Sequence, residues 1–187
     1  DQRADLIGRI EAPEVLEQVA ELLAGLAQLA HRLGRRVVGD GAALLQRAAD
    51  RIRAFAQAQR AALPDVVVPA PWGRQGARWQ ALEVAGCYAP GGRYPLPSSV
   101  LMTVIPARVA GVSWVQVASP RPAPVTLAAA AVAGADCLLA AGGAHGIAAL
   151  ALGRGGVRAS DVVVGPGNAW VTAAKSVVAD RTRIDML

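Results

Sequence analysis

The chain has 187 residues, enough for one compact domain or for a domain with a packed arm. Hydrophobic residues make up 53% and charged residues 18%, which argues against disorder, and aromatic residues are only 4%, so Ala, Val and Leu must fill the core. No apolar run reaches the roughly 18–20 residues that cross a bilayer, and the net charge of +5 comes mainly from arginines interleaved with Ala and Leu in Arg32–Arg36 and Arg47–Arg60. With no aromatic stacking platform among them, these arginines read as a solvated helix face, so neither nucleic acid nor membrane is expected as a partner.

The first residue is Asp1 and no basic-then-apolar leader follows, so the N-terminus is read as cut. From Pro13 to Gly34, Val15, Val19, Leu22, Leu23, Leu26, Leu29 and Leu33 recur at three- and four-residue steps, the pattern of an amphipathic helix. A second helix is expected over about Gly41–Ala62, with Leu44, Leu45, Ala48, Ile52 and Phe55 on one face and Pro64 beyond its end. Prolines 64, 69 and 71 and glycines 73 and 76 then break the pattern, and Leu63–Gly76 reads as an extended connector.

After the connector, short apolar runs alternate with Ala-rich helical ones. Strands are predicted near Val84–Tyr88, Ser113–Ala118, Cys137–Ala140 and Asp161–Val164. Helices are predicted near Ser98–Ala110, Val125–Ala133, Gly146–Leu152 and Ala169–Val178. The fold class is therefore α/β, a mostly parallel sheet with helices on both faces, forming an incomplete Rossmann-like unit over residues 82–187. Residues 1–76, an N-terminal helical segment and connector, are read as part of an incomplete first domain.

Three turns are rich in glycine: Tyr88–Pro95, Gly142–Gly146 and Gly165–Asn168. In an open parallel sheet, ligands collect where strand carboxyl ends meet helix N-termini, and glycine lets phosphate oxygens approach the free backbone N–H groups there. None of the three fits G-x-G-x-x-G, and glycine-rich turns also serve as plain connectors. Tyr88, His145 and Asn168 are the side chains on these turns with hydrogen-bonding capacity toward a nucleotide. Each also has a structural alternative: Tyr88 as a half-buried strand end, His145 as a satisfied loop histidine, and Asn168 as the N-cap of the helix from Ala169. Cys87 and Cys137, fifty positions apart, read as free, reduced thiols.

The fragments Gly86-Cys-Tyr-Ala-Pro-Gly-Gly92, Pro97-Ser-Ser-Val-Leu-Met102, Ile105-Pro-Ala-Arg-Val-Ala-Gly111, Gly142-Gly-Ala-His-Gly-Ile-Ala-Ala-Leu150, Val164-Gly-Pro-Gly-Asn-Ala-Trp-Val171 and Ile184-Asp-Met186 stand in this order. As an ordered series they resemble the motifs of histidinol dehydrogenases. The resemblance covers Leu82–Leu187 well and Leu44–Gln59 loosely. It implies a cytoplasmic, homodimeric enzyme of histidine biosynthesis that uses zinc and NAD to oxidise a small amino alcohol, histidinol, to the amino acid through a bound aldehyde.

By the resemblance, the family's NAD contacts fall on Tyr88, His145 and Asn168, with His145 standing where the family usually has glutamine. Ala89 replaces a branched residue, and Arg93-Tyr94-Pro95 follows the turn as in relatives that oxidise other small alcohols. The family's zinc ligands and its Glu-His acid–base pair lie downstream of Ile-Asp-Met. No catalytic or metal residue is therefore assigned here, and His31 and His145 are the only histidines. The expectation is a front portion of the enzyme, inactive alone. The alternatives are a paralogous dehydrogenase of another small alcohol and a non-catalytic nucleotide-binding or dimerisation module. Tyr88→Ala and Asn168→Ala are expected to weaken NAD far more than folding.

Overall fold

The computed structural model describes residues 39–91 and 94–185. The helix expected over Pro13–Gly34 lies outside them. The described chain opens with helix α1 (Gly39–Ala61) and an antiparallel hairpin of β1 (Val66–Ala70) and β2 (Gly73–Ala77). Strand β3 (Val84–Tyr88), helix α2 (Pro97–Val109), β4 (Trp114–Ala118) and α3 (Pro124–Ala133) come next. They are followed by β5 (Cys137–Leu139), α4 (Gly143–Leu152), β6 (Val162–Val164), α5 (Ala169–Val178) and β7 (Arg183–Ile184).

Five strands form one sheet in the order β5-β4-β3-β6-β7, and every neighbouring pair is parallel. Side-chain alternation divides its two faces. Ala85 and Cys87 of β3 and Val115 and Val117 of β4 are buried with Val100, Val104 and Ile105 of α2 and Ala129 of α3. Tyr88, Ala118 and Val163 are buried with Ile147 and Leu150 of α4 and Val171 and Val178 of α5. This is the α/β arrangement expected from the sequence. Its core is built largely from Ala, Val, Leu and Ile, without a buried Trp or Phe among the described residues. No described helix is long and apolar enough to cross a membrane.

The structure corrects three details. Leu63–Gly76 is not a plain connector, because Val66–Ala70 pairs with Gly73–Ala77. In a two-stranded sheet every strand is an edge, where a proline's missing N–H is tolerated, so Pro69 does not exclude it. Helix α1 is turned from the predicted face: Leu45, Ala49 and Ala56 are buried, Ala48 and Ile52 pack against the core, and Leu44 and Phe55 are exposed. Leu45 and Ala49 share a buried cluster with α2, so this helix packs on the sheet's α2–α3 side. Finally, α4 starts at Gly143 rather than Gly146, which puts His145 in the first helical turn instead of a loop.

A buried amide and a partly exposed ion pair brace the sheet. Gln116, fully buried in β4, accepts from the Arg158 N–H at 3.0 Å and donates to the Arg158 carbonyl at 2.6 Å and the Ser160 hydroxyl at 2.9 Å. Arg108 pairs with Asp136, whose carboxylate also accepts from the Val115 N–H. Burial pushes the Cys87 thiol up to about 12, against a lowering hydrogen bond with Thr103, and pushes Cys137 up to about 11 with help from the Asp136 charge. Both thiols are free, and at neutral pH such groups are poor nucleophiles.

Candidate functional site

The strand order reverses at β3. The chain moves outward through β4 to β5 and then returns to place β6 on the other side of β3. In parallel α/β sheets the carboxyl-end crevice at such a reversal is where ligands bind. Here that crevice lies between the ends of β3 and β6, at Tyr88 and Val164, under the N-termini of α4 and α5.

Tyr88 ends β3 and is 3% exposed, a deeper position than the half-buried strand end considered from sequence. Its hydroxyl accepts a hydrogen bond from the Gly143 N–H at 2.8 Å, tying the β3 end to the start of α4. Its backbone touches the other turn, because a Cβ at Gly165 would lie 2.0 Å from the Tyr88 carbonyl oxygen. Pro120, just past β4, fills the space between the remaining turns. A Cβ at Gly142 would come 2.3 Å from its side chain, and one at Gly91 would come 2.5 Å from its carbonyl oxygen. The three glycine-rich turns therefore meet at one edge, and Tyr88 joins them, through its hydroxyl to Gly143 and through its backbone to Gly165.

Helix α4 has Gly142 as its N-cap; its Gly143 N–H is taken by the Tyr88 hydroxyl, and the N–H groups of Ala144 and His145 make no hydrogen bond among the described residues and face an anion's usual position at a helix start. His145 is exposed in that turn, and its ring makes no hydrogen bond among the described residues. Asn168 caps α5: its Oδ1 accepts from the Val171 N–H at 3.1 Å. The capping role weighed in sequence is thus present, and it uses the oxygen only, in a residue that is exposed. Arg121, exposed and in left-handed backbone at φ 43°, stands at the same edge beside Pro120.

Two further residues hold the Gly165–Asn168 turn from beneath. Lys175 of α5 is buried and donates to the Gly165 carbonyl at 2.6 Å and to Asp185 Oδ1 at 2.5 Å, and Asp185 Oδ2 accepts from the Gly165 N–H at 2.8 Å. Sequence reading missed this pair because lysine is ordinarily a surface residue and the two are ten positions apart, outside any helical spacing. The one available signal was the position of Asp185 within the Ile184-Asp-Met186 fragment.

Burial works to raise the Asp185 pKa, but the Gly165 N–H and the hydrogen bond and charge of Lys175 outweigh it. The net position is below the usual carboxylate range. A folded-state pKa below the unfolded value of about 3.9 means that the stabilisation is complete above that pH and is lost as pH falls through the lower folded value. A carbon-detected NMR titration of the Asp185 carboxyl group is expected to show a midpoint below about 3.9, and one at or above it contradicts the arrangement.

A cavity of about 540 Å³ opens on the α2 side, lined chiefly by apolar groups, including Leu63, Trp79, Leu82, Met102 and Val112, and reaching Val164 and Asp185. It contains none of Tyr88, His145 and Asn168. Among the described residues, no group of three His, Cys, Asp or Glu side chains is placed to hold a metal ion.

Known proteins share both the sequence and the fold. The family model described as histidinol dehydrogenase matches residues 18–187. The histidinol dehydrogenase of Haloarcula marismortui is 48% identical over 172 residues, covering 87% of this chain and 39% of the relative. That of Natronomonas pharaonis is 50% identical over 153 residues, covering 76% and 34%. The crystal structure of histidinol dehydrogenase from Elizabethkingia anophelis superposes with a TM-score of 0.78 at 25% identity, over 100% of this chain and 47% of that one. The chain thus spans less than half the length of these relatives, and with a family model matched from residue 18 to its last residue it belongs to the histidinol dehydrogenase family.

Proposed function

We propose that this chain is the cofactor-side portion of an NAD-dependent dehydrogenase that oxidises histidinol to histidine, and that the rim joined by Tyr88 is its NAD site. The observation that carries this reading is the meeting of three glycine-rich turns at the strand-order reversal, with a helix start among them whose second and third N–H groups are unpaired. Residues 82–187 are then the cofactor-binding domain, and residues 1–76 belong to a first domain.

NAD fits the groups present. Its phosphates suit the unpaired Ala144 and His145 N–H groups of α4, and its polar edges suit His145 and the Asn168 amide, both exposed at the rim. Bound there, NAD supplies the hydride acceptor, while the side chains orient it. A zinc site has no counterpart in the described residues, and no step through the metal is assigned to them. In this reading the whole protein is a cytoplasmic homodimer acting on a small amino alcohol.

Asn168 offers the direct test in the full-length protein. Asn168→Asp keeps the N-cap but replaces the amide donor with an anion, so stability is expected to stay within about 1 kcal/mol while NADH binding weakens at least tenfold by fluorescence titration. His145→Gln restores the family's usual residue and is expected to tighten NADH. Unchanged affinity in both variants sinks the assignment.

A further inference from the structure

Both backbone polar groups of Gly165 are held by the two members of one ion pair. Its carbonyl accepts from Lys175 Nζ at 2.6 Å, its N–H donates to Asp185 Oδ2 at 2.8 Å, and Lys175 meets Asp185 Oδ1 at 2.5 Å. The Lys175 side chain is only 3% exposed, and that of Asp185 is 27% exposed, so the pair is buried at the lysine end. A buried ion pair is weak support for stability, because apolar residues of similar size often serve the fold equally well. What an apolar pair cannot do is fix the orientation of a peptide unit through its N–H and its carbonyl together.

The orientation of Gly165 governs the residues after it in the chain. Pro166 has its φ locked by its ring, so few torsions separate the pinned glycine from Asn168 and the start of α5. On the other side, Gly165 lies against the Tyr88 backbone. Lys175 and Asp185 thus hold the turn that carries Asn168 and abuts Tyr88, with Lys175 buried and the partly exposed Asp185 lining the α2-side cavity, which contains none of Tyr88, His145 and Asn168.

We propose that Lys175 and Asp185 are a positioning pair for cofactor binding, setting the Gly165–Asn168 turn through the Gly165 peptide without touching the cofactor. This rests on the reading of the rim as the NAD site. It gives the Ile184-Asp-Met186 fragment a role on the cofactor side: Asp185, immediately after β7, reaches back to the end of β6.

The test uses the full-length protein and two readouts, the NADH dissociation constant and the thermal midpoint. The double variant Lys175→Met/Asp185→Leu leaves no buried charge unpaired but takes the partners from the Gly165 N–H and carbonyl, so it is expected to fold with a midpoint lowered by several degrees while NADH binds at least tenfold more weakly. Asp185→Glu keeps both charges but moves the carboxylate one methylene further from its backbone. It is expected to stay folded and to weaken NADH about fivefold, with the KM for NAD rising and kcat at saturation retained. NADH affinity within twofold of wild type in whichever of these variants folds overturns the proposal. A wild type that binds no NADH refutes the cofactor reading itself, whereas a binding wild type with unresponsive variants refutes only the pair's role.

Discussion

Gly165→Ala is expected to destabilise the protein by at least about 3 kcal/mol, the largest effect of any single methyl group added at the rim. Two costs combine. Gly165 has φ 123°, outside the regions open to alanine, and the added Cβ would sit 2.0 Å from the Tyr88 carbonyl oxygen and 3.0 Å from its carbonyl carbon. Those atoms are backbone of a strand paired on both sides, to β4 and β6, so no side-chain rotation relieves the contact.

Gly134→Ala separates the two costs. Gly134 caps α3 at φ 84°, and nothing lies within 4 Å of its added Cβ, so only the left-handed backbone is penalised, by about 1 kcal/mol. Chemical denaturation of both variants measures the difference. Equal losses at the two positions would mean that Gly165 does not press on Tyr88 and that the joined rim is wrongly built.

The parallel sheet was legible because its central strands are short apolar runs with clear boundaries. β3 lies at its predicted bounds, closed by Pro90 and Gly91, and α5 is bounded by the Asn168 cap. The hairpin was not legible because Val66, Val67 and Val68 are all exposed, without the alternation that marks a half-buried strand. β7 is two residues long, too short for any period. In α1, alanines crowd every face, so the buried Ala49 and Ala56 are indistinguishable in sequence from the exposed Ala54 and Ala58.

The candidate site divides in the same way. Tyr88, His145 and Asn168 were found by residue type and by family resemblance. Their surroundings depend on contacts across the sheet that no local pattern encodes, such as Gly143 on the Tyr88 hydroxyl or Lys175 beneath Gly165. Burial is the property sequence judged least well. It weighed Tyr88 as a nucleotide contact or a half-buried strand end, where the residue is 3% exposed, and it gave no reason to place a lysine in the interior.

The burial of Tyr88 changes how its part in the site must be tested. On sequence grounds, Tyr88→Ala weakens NAD far more than folding. At 3% exposure, within the cluster of Ile147, Leu150 and Val171, removal of the ring is instead expected to cost about 3–5 kcal/mol, so loss of binding would only report loss of the fold. Tyr88→Phe keeps the ring and deletes the acceptor of the Gly143 N–H, at an expected cost of about 1 kcal/mol. If the hydroxyl's task is to hold the start of α4 against the rim, NADH affinity is expected to fall about tenfold in Tyr88→Phe while the denaturation midpoint moves little. Unaltered NADH binding in a folded Tyr88→Phe protein would assign the hydroxyl to α4 alone and leave Asn168 and His145 as the groups on which the cofactor reading stands.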